Sequence, residues 1–187
     1  MKIARWISII GHPFVTILFL IAVETFRRTN PQQSWLAIVA TAIVVVLPLF
    51  WFMRRQVRRG RWKDVDASER SERPALYAAA IIATAILAIW FLAMPGTRTL
   101  ARGAIGVLLL LIIGRACNAF LKTSLHVAFA TFAAVNLFYV DLNLGIAAAI
   151  FVPLLAWARL VMTRHTIVEI IAGLCLGAAI ALGVRLA

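Results

Sequence analysis

Seven apolar runs, separated by short polar stretches, leave this chain few ways to fold. They lie at roughly 6–25, 35–53, 75–94, 99–116, 126–141, 144–161 and 166–186. Inside a bilayer no water is present to satisfy backbone N–H and C=O groups, so such runs cross as helices that bond internally. Alternation with period two, the mark of a membrane β-barrel, is absent. With 64% hydrophobic residues and a mean hydropathy of +0.97, the expected fold is all-α. It is a polytopic transmembrane helical bundle of six or seven spans, one domain over 1–187. Some runs are shorter than the ~20 residues of an upright span, so tilt or snorkelling is expected at 99–161. Pro13, Pro48 and Pro153 lie inside runs and are expected to kink them. No cleavage site follows the basic start, and Glu24-Thr25-Phe26-Arg27-Arg28 closes the first run, so a retained helix is expected.

The net charge is +12, from 19 Lys and Arg against 7 Asp and Glu. On a soluble protein this balance points to nucleic acid. Here the cations stand at the ends of apolar runs, where they meet headgroups and set orientation, so no nucleic-acid partner is expected. The expected partners are the bilayer and a phosphorylated membrane lipid. Alternating crossings put three polar clusters, 54–74, 122–126 and 159–169, on one face. That face holds all but five of the 19 cations, the five being Arg27, Arg28, Arg98, Arg102 and Arg185. The positive-inside rule then predicts a multi-pass protein of the inner (cytoplasmic) membrane with its site on the cytoplasmic side.

Charge between apolar segments is costly and marks a functional site by default. Arg159, Arg164, His165 and Glu169 crowd such a junction. His165 and Glu169 are four apart at the start of a run, a spacing that lets a carboxylate bond one imidazole nitrogen and leaves the other for chemistry. Ser124 and His126 sit at the start of another run, just after Lys122, and free backbone N–H groups at a helix start favour an anion. Asp66, Arg70 and Arg73 fall at i, i+4 and i+7, the spacing of one helix face. Internal pairing with Asp64, Asp66, Glu69 and Glu72 competes with a site role there. Two histidines among anion-binding groups suit phosphoryl transfer, one attacking phosphorus and the other protonating the leaving oxygen. No carboxylate cluster suits Mg²⁺ and no Gly-rich phosphate loop is present, so neither metal nor cofactor is expected. His12 reads as a helix residue bonded to a neighbouring helix, Asp141 as a cap between helices, and Cys117 and Cys175 as small buried residues.

These residues resemble the type 2 phosphatidic acid phosphatase superfamily of integral membrane lipid phosphatases. That family's three motifs read K-x6-R-P, P-S-G-H and S-R-x5-H-x3-D. Here the third is Ala158-Arg159, five residues, His165, three residues, Glu169. The second is Thr123-Ser124-Leu125-His126, and the first keeps Arg73-Pro74 with Asp66 at the lysine position. The likeness covers roughly 60–178. It implies His165 as the nucleophile of a phosphohistidine intermediate, Glu169 as its orienting acid, and His126 as proton donor and later base. It implies Arg73, Arg159 and Ser124 as phosphate contacts; Arg70, Arg164 and Lys122 are further candidates from their positions. The expected activity is metal-independent hydrolysis of a lipid phosphate, such as phosphatidic acid or a polyprenyl phosphate. The alternatives are a non-hydrolytic lipid-phosphate binding or transport protein and a transferase between lipids. Gly173 and Gly177 form G-x-x-x-G, which fits close packing inside the bundle ahead of a homo-oligomer seam.

Overall fold

The computed structural model describes residues 1–186, which are mostly helical with no strand among them. In chain order the helices are α1 (Lys2–Ile10), α2 (Pro13–Arg28), α3 (Pro31–Thr41), a π-helical turn (Ala42–Val46) and α4 (Leu47–Arg58). There follow α5 (Arg73–Ala93), α6 (Arg98–Cys117), α7 (Leu125–Phe138), α8 (Leu142–Val161) and α9 (Ile167–Leu186). The stretch from α3 to α4 runs on as one helix, Pro31–Arg58. That helix, α5, α6, α8 and α9 are the five long and apolar enough to cross a membrane. Together α1 and α2, bent by 45°, would make a sixth. The run expected at 126–141 is only the 14-residue α7, about 21 Å at 1.5 Å per residue, short of the ~30 Å hydrocarbon core. It is apolar on all sides because it is surrounded by protein, packing on α2, α8 and α9.

The three prolines act differently. Pro13 opens α2, where its missing N–H costs nothing, and the chain bends just before it. Pro48 has no N–H to bond residue 44, and in a regular helix its ring would clash with that carbonyl. The helix widens just ahead of it, with the Leu47 N–H donating to Ala42 O. Pro153 lies within α8, which continues unbroken from Leu142 to Val161.

The chain divides into two compact units, one of Met1–Ile38 with Lys122 onward, the other of Val39–Leu121. In the first unit α7 is the hub. Its Val127, Ala130 and Ala134 pack with Val152 and Leu155 of α8 and Ile170 of α9. The glycines Gly173 and Gly177 face α7 itself. A Cβ at Gly173 would lie 2.7 Å from Ser124 O, and one at Gly177 would lie 2.3 Å from Ala128 O. The motif therefore packs two helices of one chain. At one end of this unit Arg27 pairs with Asp141 at 2.7 Å, Arg28 donates to Tyr139 O, and the Arg185 Nε–H donates to Asn136 Oδ1. Arg28 and Arg185 also flank the buried Glu24. Asp141 caps α8 by accepting from the Leu144 N–H, as expected of it. Helices α2, α7 and α9 end in this cluster and α8 begins in it, so three run one way and α8 runs back.

In the second unit α5 and α6 form a hairpin turned at Gly96, whose φ of 79° needs glycine. Tyr77, Ala80, Thr84, Leu87 and Phe91 make the buried stripe of α5. The segment before α5 corrects an expectation: Asp66, Arg70 and Arg73 do not share a helix face, because α5 begins only at Arg73. A helix running through this stretch would drive the Pro74 ring into the carbonyl of residue 70. The acids instead knit a compact loop. Asp64 Oδ1 accepts from Ser68 Oγ and the Asp66 N–H, while Glu72 accepts from the N–H groups of Lys63 and Glu69. Cys175 is a second correction: it is exposed on α9, and Cys117 is half-buried.

Candidate functional site

The site is built from the first turn of α9. Thr166 precedes that helix and Glu169 is its third residue. The Glu169 N–H donates to Thr166 Oγ1 at 3.3 Å, and the Thr166 N–H donates to Glu169 Oε2 at 3.1 Å. This reciprocal pair is a capping box. The same Oε2 lies 2.9 Å from His165 Nδ1. A carboxylate oxygen only accepts, so Nδ1 carries a proton and Nε2 is the nitrogen Glu169 does not use. The His165 side chain is 1% exposed. One carboxylate thus fixes both the start of the helix and the orientation of a buried imidazole.

The start of α7 is tied to this turn. Ser124 donates its N–H to Glu169 O at 3.1 Å, beside Gly173. Ser124 occupies the N-cap of α7, yet its side chain makes no cap bond. Its Oγ is buried and has no hydrogen-bond partner among the described residues. An unsatisfied buried hydroxyl costs about 1–3 kcal/mol, which a ligand oxygen could recover. His126 follows two residues later and is buried.

Arg159 comes from the last turn of α8, buried, with Nη1 donating to Ser8 Oγ of α1 at 2.7 Å. Beyond it the chain closes a Schellman turn: Arg164 N–H donates to Arg159 O and Thr163 N–H to Leu160 O. Thr163 therefore sits at φ 53°, a left-handed conformation that a β-branched residue rarely adopts. This strained turn delivers His165. Lys122 Nζ donates to Arg164 O at 2.9 Å, closing the junction from the α7 side.

Arg70 and Arg73 belong to the second unit. Arg73 is buried and its Nε–H donates to Ala67 O. The Arg70 Nε–H donates to Asn118 O at 2.6 Å, and Asn118 Nδ2 returns a bond to Arg70 O. Arg70 thus clamps its loop to the end of α6.

Within the first unit, Lys122, Ser124, His126, Arg159, Arg164, His165 and Glu169 all lie at the starts of α7 and α9 and the end of α8. Three neighbours were not expected at the site from the sequence. Thr166 was legible, since Thr166-x-x-Glu169 is a capping-box pattern. His12, expected within a helix, instead stands at the break between α1 and α2 as the N-cap of α2, with its ring centroid 5.2 Å from that of His126. Its signal was a His-Pro pair where a helix starts. Ser8 carried no signal, because only the fold brings α1 to Arg159. No family model, curated protein or solved structure matches the chain.

Proposed function

We propose that this protein is a membrane-embedded lipid phosphatase related to the type 2 phosphatidic acid phosphatases. It hydrolyses a lipid phosphate monoester or diphosphate through a phosphohistidine. The observation that carries this is the buried His165 ring held through Nδ1 by Glu169 at 2.9 Å. It is supported by the tie from Ser124 to Glu169 and by the burial of Arg159 and His126. In the first step His165 Nε2 attacks phosphorus and the bond to the lipid oxygen breaks. His126 gives that oxygen its proton. In the second step His126 takes a proton from water, the hydroxide oxygen attacks phosphorus, and the P–N bond breaks. Inorganic phosphate leaves and His165 is restored. Arg159, Ser124, Lys122 and Arg164, all of the first unit, hold phosphate oxygens. The positive-inside count assigns the reaction to the cytoplasmic side of the inner membrane.

The test is phosphate release from phosphatidic acid and from a polyprenyl diphosphate by the purified protein, with chelator present. Vanadate should inhibit it. His165→Ala and His126→Ala should each abolish it, and unchanged turnover in His165→Ala removes the nucleophile and the proposal. One observation favours a second reading, a lipid-phosphate binding or transport protein. Asp66 stands at the family's lysine position, and its N–H is bonded to Asp64 in the loop. Lipid binding without phosphate release, indifferent to His126→Ala, would select it.

A further inference from the structure

The chain has three histidines, and each stands at the N-terminal end of a helix: His126 in α7, His165 just before α9, and His12 at the N-cap of α2. His12 has no part in the chemistry above. Pro13 lacks an N–H, so Phe14 offers the first amide donor of α2, and it donates to His12 Nδ1 at 3.2 Å. A nitrogen that accepts carries its lone pair, so the ring is neutral with its proton on Nε2. Protonating Nδ1 would break the cap and place a cation at the positive end of a helix dipole. The backbone beneath is fixed as well. A Cβ at Gly11 would meet Leu155 Cδ1 of α8 at 2.5 Å, and Thr16 N–H donates to His12 O at 3.0 Å.

This anchored ring stands against His126, centroids 5.2 Å apart and planes at 87°. Edge-to-face contact at that distance is a favoured aromatic geometry. His126 must aim one nitrogen at the leaving oxygen and then at water. A flip about its χ2 would swap the two nitrogens, and a perpendicular ring in contact opposes that flip. We infer that His12 is a positioning residue for His126, a neutral wall that keeps its ring in one orientation through both half-reactions. The inference rests on the phosphatase reading for its catalytic meaning, though the ring contact does not.

His12→Asn separates the two roles of this side chain. Asparagine is a favoured N-cap and retains an oxygen for the Phe14 N–H, but it removes the ring. With ¹⁵N-labelled histidine the full chain in micelles gives three imidazole patterns, assigned by single substitutions. Wild type should show His12 with a bare Nδ1 and a protonated Nε2. In His12→Asn the His126 signals should shift or broaden while those of His165 hold. With a lipid phosphate, kcat should fall about tenfold or more, a share of the ~10²–10⁴ that general acid–base catalysis supplies, with KM within about twofold. His126 signals unmoved in an active His12→Asn protein, or a His12 ring protonated on Nδ1, overturn the inference. A wild type that releases no phosphate from any lipid phosphate sinks the phosphatase reading instead. The resonances then still decide whether His12 orients His126.

Discussion

Replacing Gly177 by alanine tests the seam on which the site is mounted. The new Cβ would lie 2.3 Å from Ala128 O and 3.0 Å from Thr131 Cβ. An ordinary carbon–oxygen contact is about 3.3 Å, so α7 and α9 must part by roughly 1 Å. The opposing atom is a backbone carbonyl in a helix and cannot rotate aside, which puts the penalty toward the upper part of the ~1–3 kcal/mol range for overpacking. Alanine regains about 1 kcal/mol of helix propensity. Gly183 lies in the same helix with no described residue within 4 Å of where a Cβ would stand, so it receives that gain alone. Comparing the two variants cancels propensity and leaves the steric term, about 3 kcal/mol. For a chain of this length that is about 6–12 °C in Tm.

Thermal unfolding of both variants in one detergent measures the difference directly. Gly183→Ala should match or exceed wild type, and Gly177→Ala should melt well below it. Phosphate release should fall with Gly177→Ala even below its melting point, because α9 carries Glu169, which holds His165. Equal melting temperatures for the two variants would refute the packing of α9 on α7.

Thr163→Gly should stabilise the protein by roughly 1 kcal/mol, since glycine adopts φ 53° without the Cβ penalty, and the same melts read it. Ser124→Ala should leave stability level or about 1 kcal/mol higher, because it removes a buried hydroxyl that has no partner among the described residues. Its vanadate affinity should nevertheless drop, measured as the inhibitor concentration that halves turnover.

Long-range order and local chemistry were not equally legible. Apolar runs and end charges gave the helices because the bilayer punishes unsatisfied backbone wherever it occurs, which makes hydropathy a direct report on structure. They overstated α7, since a helix buried on all sides by protein reads like one buried in lipid. The i, i+4 pairing of His165 and Glu169 was readable because it lies within one turn. Periodicity misled at Asp66, Arg70 and Arg73, where Pro74 vetoes the helix that the spacing suggested. The contacts from Ser8 to Arg159 and from His12 to His126 join residues more than a hundred positions apart, and no local pattern encodes such a meeting.

Glu169 brings these levels together, because a helix cap would conserve its geometry even if it had no part in chemistry. Its Oε2 serves the Thr166 N–H and the His165 Nδ1 at once. Glutamine also completes a capping box, so Glu169→Gln retains the helix start and should cost at most about 0.5 kcal/mol of stability. It removes the charge that holds His165 in one tautomer and steadies it as positive charge develops. In hydrolases with an acid–histidine pair, removing the acid's charge costs up to about 10⁴ in kcat. Aspartate keeps the charge but is one methylene short, so Glu169→Asp should loosen both contacts and lose stability that the glutamine variant keeps. The two variants therefore separate cap from chemistry: Glu169→Gln stable but inactive and Glu169→Asp partly active but less stable. A fully active Glu169→Gln would leave Glu169 a helix cap only, and the imidazole beside it without the partner that the proposed nucleophile requires.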